Sequence, residues 1–417
     1  MIYLIICIIV VFFVHRCFDI TNLYNPFIVF FLYHTFFLFI ALSYKDRYKH
    51  VVIEDSTIAL IVSSYITCVL GAIASSLLFR KMGYNYYKLK DIRYSGNQAA
   101  YSNYAGYIIL FIGFYMATSY IIDTGGLIFF KKDIENTRIT DRQGRGLITL
   151  LSMSFIIFGY LITLFDNKPA YVKLFLFILS SFFLLSFGNR EPMLELALMS
   201  FVLLCIYKNI KLKIKYLAYI GLAIFSLMVL FGALRANSAY NAKDLFMAQF
   251  GWRPFVNIQN LQWIINFVPK DLEFMHGETM LIELKLFLPG SNPNFGTWLK
   301  DTMKLTFDGG SITTTHLGLA YINFGYVGAF LYPFFLGFLF QSIYHSFINR
   351  TYNSKLRLLF LFIFSLHVGG TLSSGLVSIL IMNVMFLCFV TLCYIGITYL
   401  LRLLVFYDKN KRLPDVS

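Results

Sequence analysis

Charge is scarce in this chain: Asp, Glu, Lys and Arg make up 13% of its 417 residues, against about a quarter in an ordinary soluble protein. So few ions cannot cover a water-facing surface, which excludes a soluble globular domain. The six cysteines, Cys7, Cys17, Cys68, Cys205, Cys388 and Cys393, lie within or at the ends of apolar runs. Their spacing supports neither a disulfide framework nor a thiolate metal cluster. There is no P-loop, no G-x-S-x-G and no H-E-x-x-H, so the common phosphate-cradling, serine-nucleophile and zinc-peptidase signatures are missing. Repeats of 20–50 residues and low-complexity linkers are also missing. The two halves show no inverted duplication, which argues against a secondary transporter.

What fills the chain instead is apolar sequence, 58% of all residues, arranged in runs long enough for membrane helices. This predicts an all-α polytopic membrane protein, a single membrane domain over residues 1–417. We expect about 11 transmembrane helices, at 2–17, 26–44, 57–79, 104–122, 147–165, 171–188, 191–207, 216–234, 325–346, 357–375 and 377–401. The first run has no basic leader and no small-residue cleavage site, so it reads as an anchor. The basic connections Arg80 to Arg93, Lys208 to Lys215, Arg350 to Arg357 and Arg402 to Arg412 share one parity. That places them in the cytoplasm and the N-terminus outside. The net charge of +14 then lies on the inner face, where anionic headgroups attract it, and no nucleic acid is needed to explain it.

The long connections fall on the opposite face, so the elaborated side is the outer one. The largest is the loop 235–324, which carries Phe246, Phe250, Trp252, Phe255 and Trp263 among amides and single charges. That mixture suits short amphipathic helices in a membrane interface. Three arginines belong to this face. Arg190 lies in the tight turn Phe187-Gly-Asn-Arg-Glu-Pro192, just ahead of a helix start marked by Pro192. A guanidinium beside unpaired helix N–H groups suits phosphate oxygens; the alternative is an interfacial arginine that snorkels to headgroups. Arg235 and Arg253 read as further diphosphate ligands or as interfacial anchors. His316, after Thr313-Thr-Thr315, is either a base for a sugar hydroxyl or a helix-start histidine satisfied by its threonines. His276 and Glu278 form a second acid/base candidate, and His34, His345 and His367 read as packed core residues. Glu195, inside a span, suggests a structural ion pair more than catalysis. Asp271-Leu-Glu273 is a lone D-x-E and makes a poor metal site, so we expect no metal and no cofactor.

Two stretches carry a family resemblance. Gly309-Gly-Ser-Ile-Thr-Thr-Thr-His-Leu-Gly-Leu-Ala-Tyr-Ile-Asn-Phe-Gly-Tyr-Val-Gly328 resembles the segment where bacterial oligosaccharide repeat-unit polymerases re-enter the membrane before a late span. Ser186-Phe-Gly-Asn-Arg190 resembles the arginine turn of these Wzy-type O-antigen and capsule polymerases and of the related O-antigen ligases. The number of spans and the late outer loop are also similar. The resemblance implies a GT-C-type glycosyltransferase fold in the bacterial cytoplasmic membrane. It implies a metal-independent, inverting polymerase that joins undecaprenyl-diphosphate-linked repeat units on the outer face. Membrane lipids and a chain-length regulator are the partners it suggests, and Arg190, Arg235 and His316 stand where the ligases act on diphosphate and acceptor. Glu54-Asp55 in the first outer loop keeps open a ligase or another lipid-phosphosugar enzyme. A lipid-linked oligosaccharide flippase or exporter is the alternative of another class.

Overall fold

The computed structural model describes residues 2–48, 51–83, 93–94, 100–128, 145–188, 191–207, 219, 226, 247, 251–285, 295–306, 312–348, 352–353, 355–374 and 377–411. Helix α1 (Ile2–Phe18) is followed by α2 (Pro26–His34), which continues as a π-helical segment Thr35–Phe39 and a 3-10 segment Ile40–Tyr44. Then come α3 (Asp55–Lys81), α4 (Ala100–Asp123), α5 (Gly146–Thr163), α6 (Ala170–Ser186) and α7 (Glu191–Tyr207). The long loop supplies three short helices, α8 (Arg253–Phe267), α9 (Glu278–Leu284) and α10 (Phe295–Thr302), before α11 (Thr315–Phe347), α12 (Lys355–Ser374) and α13 (Val377–Lys411). Among the described residues the strand structure is one two-residue parallel pairing, Arg93–Tyr94 on Tyr352–Asn353.

Local signals explain several boundaries. Asn25 caps α2 by accepting the Phe27 N–H at 3.0 Å, and Pro26 occupies the first helical position, where a missing N–H costs nothing. Helix α3 has Asp55 in its first turn and Arg80 and Lys81 in its last, each complementing the helix dipole.

Among the described residues six helices are long and apolar enough to cross a membrane: Pro26–Tyr44, Asp55–Lys81, Ser102–Asp123, Gly146–Thr163, Thr315–Phe347 and Met382–Leu404. Four shorter apolar helices, Ile5–Phe18, Ala170–Ser186, Pro192–Cys205 and Leu356–His367, fall on four more of the expected spans. The expected span 216–234 lies outside the described residues. Among the described residues the chain is therefore an all-α polytopic membrane protein with six helices of spanning length; the eleven expected spans are not all established at that length.

The residues group into two compact units. One comprises Met1–Ile92, Gly232–Thr351 and Leu361–Met382, and the other Arg93–Phe231, Tyr352–Phe360 and Asn383–Ser417. The first is built on α3 against α11. A Cβ on Gly71 would run into the backbone of Phe334 and Phe338, and one on Gly337 into the Cys68 carbonyl. The two backbones are thus in contact through a pair of glycines, as helices in lipid often are. The second unit repeats the device between α4 and α5, where a Cβ on Gly159 would meet the backbone of Leu110.

Polar groups are built into the first unit below that crossing. Asn22 donates to the Tyr344 hydroxyl at 2.7 Å and Asn25 to Gln341 Oε1 at 2.8 Å. Gln341 Nε2 lies 3.0 Å from His345 Nε2, and Ser75 and Ser342 share a bond of 2.9 Å. These pairs fix the register of α11 against its neighbours. Overpacking a tight contact costs about 1–3 kcal/mol, and here backbone blocks relief. We therefore expect Gly71→Val or Gly337→Val to lower the membrane level of the protein sharply. Gly146→Val, at a glycine with open space around it, should be tolerated; quantitative immunoblotting of membranes reads all three.

Candidate functional site

Helix α11 is two helices joined at a kink. Phe324 (φ −137°, ψ 15°) and Gly325 (φ 61°, ψ −153°) leave helical geometry, which divides a first segment, 315–323, from the span proper. The expected span at 325–346 is the second segment, and the first is an addition that the apolar pattern did not separate. A β-branched residue opens it in left-handed geometry, Thr315 at φ 56°. Such a backbone costs on the order of 1–3 kcal/mol and persists only where the surroundings hold it.

Both ends of this segment are held from the long loop. At its start, Asn260 donates to the Thr313 carbonyl and hydroxyl at 3.2 and 3.0 Å, and the Thr313 hydroxyl donates to Asn257 Oδ1 at 2.8 Å. At its end, the Ile322 and Asn323 carbonyls accept the N–H groups of Met275 (3.0 Å) and His276 (3.1 Å). These are acceptors that a helix C-terminus leaves open. Asn323 completes the clasp: its Oδ1 accepts the Gly277 N–H at 2.7 Å, and its Nδ2 donates to Leu319 O at 2.8 Å and Thr279 Oγ1 at 2.9 Å. The loop pays out a second left-handed residue here, His276 at φ 46°.

Within the segment His316 is fully buried, and neither ring nitrogen has a hydrogen-bond partner. Its threonine neighbours do not satisfy it; Thr315 Oγ1 accepts the Gly318 N–H instead, at 3.3 Å. Its ring lies 4.8 Å from the His34 ring and 5.0 Å from Phe30. His34 in turn has its Nε2 3.3 Å from Ser64 Oγ. Ser64 stands nine residues along α3 from Asp55, about 13 Å below the helix start. The two imidazoles therefore lie well inside the bundle.

The other expected site residues are spread out. His276 and Glu278 are both exposed, on the clasp that closes the far end of the segment from His316. Arg253 is exposed at the first position of α8, whose 15 residues rise about 22 Å. The C-terminal end of that helix reaches Tyr321, whose hydroxyl donates to the Val268 carbonyl at 3.2 Å. The end of the helix that carries Arg253 is the one nearer Thr313, whose hydroxyl donates to Asn257 Oδ1 one turn on. Arg190 and Arg235 lie outside the described residues; Pro192 does fall in the first turn of α7. Glu195 is half-buried in α7. Glu54 is exposed, with its N–H donating to Gln262 Oε1 at 2.8 Å. Among the described residues no group of three His, Cys, Asp or Glu side chains converges as metal ligands would.

His34 is buried among aromatic rings, in keeping with its reading as a packed core residue; the amides of α8 were not anticipated. Asn257 and Asn260 are three apart on one helical face, a signal that was available. The pairing of His34 with His316 spans most of the chain and left no local trace.

Residues 22–381 match the model of the family described as "Putative O-antigen polymerase". No curated protein matches the chain, and no solved structure does.

A buried group without a partner costs about 1–3 kcal/mol, and His316 has two such atoms. Replacing it with an apolar side chain of similar volume should remove that cost. We expect His316→Leu to raise the thermal midpoint of the detergent-solubilised protein. A lower midpoint would mean that the imidazole is bonded in the native state.

Proposed function

The chain belongs to the O-antigen polymerase family, and we propose that it transfers a growing glycan from undecaprenyl diphosphate onto a lipid-linked repeat unit. The observation that carries this reading is the family match over residues 22–381, which takes in both the arginine turn and the clasped segment. The work would be done at the outer face of a bacterial cytoplasmic membrane, on a GT-C-type helical fold. Membrane lipids and the two lipid-linked glycans are the partners, with a chain-length regulator as a further one.

In the proposed reaction an acceptor hydroxyl oxygen attacks the anomeric carbon of the donor from the face opposite the diphosphate. The new C–O bond forms as the bond to the diphosphate oxygen breaks, and the configuration inverts. Negative charge grows on the departing diphosphate, where preorganised guanidinium groups are most effective in a dry site. Arg190 and Arg235, with Arg253 at the exposed start of α8, are the proposed ligands. The acceptor proton passes to a base late in the attack. His316 is our choice because it alone among the described histidines has both nitrogens buried and unpartnered. A substrate hydroxyl would supply one of the missing bonds. A second reading uses His276 with Glu278, favoured by their exposure and by the strained backbone of His276.

Gel electrophoresis of the surface glycan in a deletion strain tests the activity. Loss of a polymerase leaves lipid capped with one repeat unit, loss of a ligase leaves none, and loss of a flippase traps the units inside. Complementation with Arg190→Ala should give the one-unit pattern at a normal protein level, through a loss of about 100- to 1000-fold in rate. Arg190→Lys should fail nearly as badly if the contact is planar and two-pronged; long chains in both variants would leave Arg190 as an interfacial anchor.

Orientation has its own test. Lys270 is exposed in the turn after α8. In a background lacking the six native cysteines, Lys270→Cys should react with an impermeant thiol reagent in intact spheroplasts. Reaction only after permeabilisation would put the long loop in the cytoplasm and end the outer-face reading.

A further inference from the structure

Ser64 carries one hydroxyl hydrogen, which it donates to the Ile61 carbonyl at 2.7 Å. The same oxygen lies 3.3 Å from His34 Nε2. The hydrogen between them therefore belongs to the imidazole, which donates while Ser64 accepts. A neutral His34 is thus the Nε2–H tautomer, and its Nδ1 is a bare acceptor, buried and without a partner. His316 has one N–H to give, also buried and without a partner, and its ring centroid is 4.8 Å away at an interplanar angle of 51°.

The surroundings offer few rivals. Phe30 stands edge-on to both rings, at 5.0 Å from His316 and 6.0 Å from His34. Tyr65, tilted 5.6 Å from His34, has its hydroxyl engaged with Thr35 at 3.0 Å. A modest turn of either imidazole would bring the N–H of His316 onto Nδ1 of His34. Two backbone irregularities flank the pair. Left-handed Thr315 precedes His316, and the π-helical segment Thr35–Phe39 follows His34. Irregular turns of these kinds gather at working sites.

We infer that His34 is a positioning residue for His316. With substrate bound, its Nδ1 accepts one N–H of His316 and so keeps the opposite nitrogen of that ring unprotonated and aimed at the acceptor hydroxyl. The inference rests on His316 being the base of the proposed reaction. In the step itself the acceptor O–H proton moves to the free nitrogen of His316 as the glycosidic bond forms. The resulting imidazolium keeps its other N–H on His34, which spreads the charge without placing an anion inside the bundle. The proton then leaves to water after product release.

Isosteres separate this role from packing. Asparagine puts an amide oxygen where Nδ1 of histidine stands, whereas glutamine reproduces the Nε2 end and its bond to Ser64. Purified full-length protein in nanodiscs, given lipid-linked repeat units, would be compared as wild type, His34→Asn, His34→Gln, His34→Leu and His316→Ala. We expect His34→Asn to keep most of its kcat. His34→Gln and His34→Leu should lose kcat by about 100-fold, the scale of a misplaced catalytic group, with KM unchanged. Should His34→Leu fail to reach the membrane, the Asn and Gln pair still decides. Near-normal kcat in His34→Gln beside an inactive His316→Ala would overturn the inference and leave the base assignment standing. Equal losses in all three His34 variants, or a change confined to KM, would reduce His34 to packing. Full activity in His316→Ala would remove the base assignment, and this inference with it.

Discussion

Lipid tails are as apolar as leucine, so no hydrophobic force drives one membrane helix onto another. The first unit depends on contact at close range, where α3 and α11 meet backbone to backbone at Gly71 and Gly337. The steric fit sets how far apart these helices lie and which residues of each share a level. The hydrogen bonds below the crossing, Ser75 with Ser342 among them, follow from that register. So does the position of Ser64 higher on α3, and through it the environment of His34.

Above the crossing the chain departs from a simple span. At the Phe324–Gly325 kink the helix axis breaks, and a short segment is held between α8 at its start and the 274–279 clasp at its end. Glycine is needed at 325 on two counts. Its φ of 61° suits no bulky residue, and a Cβ there would press on the Phe274 ring at 3.1 Å. The clasp then carries His276 in left-handed geometry on an exposed surface, so a strained histidine lies at one end of the segment and a buried one near the other.

The class of fold was legible because it follows from composition: a chain with 13% charged residues has to shed water, and helices satisfy their own backbone. The boundaries of α3, α4 and α5 followed from apolar run length alone. Apolar helices coincide with ten of the eleven expected spans, six of them of spanning length, and 216–234 lies outside the described residues. Segment 315–323 was hidden. Its residues from Leu317 to Ile322 are as apolar as a span, and only Asn323-Phe-Gly325 marks the break. The site was legible in its residue types and not in its grouping. Burial of His316 and exposure of His276 depend on tertiary contacts from α2 and from the loop, and no local pattern encodes them. A lone histidine in an apolar run is usually packing, and His34 is buried as that predicts; the second imidazole beside it comes from the far end of the chain.

Helices α2, α3 and α11 hold polar groups at two levels, and the contrast between the levels separates structure from chemistry. At the lower level side-chain hydrogen bonds join Asn22 to Tyr344, and Asn25 through Gln341 to His345. A linked buried network specifies register and orientation, and nothing further is needed to account for it. At the upper level the same three helices bring two histidines together, and three of their four ring nitrogens are without partners. Packing alone would favour apolar side chains there, because a buried unpaired nitrogen weakens the fold without adding specificity. The adjoining turns are strained as well, at Thr315 and through the π-helical segment after His34. Both levels keep some unmet capacity, since Asn22 Oδ1 below is also buried without a partner; at the upper level it gathers on two facing imidazoles beside left-handed Thr315. A substrate hydroxyl is the kind of group that would complete the upper level.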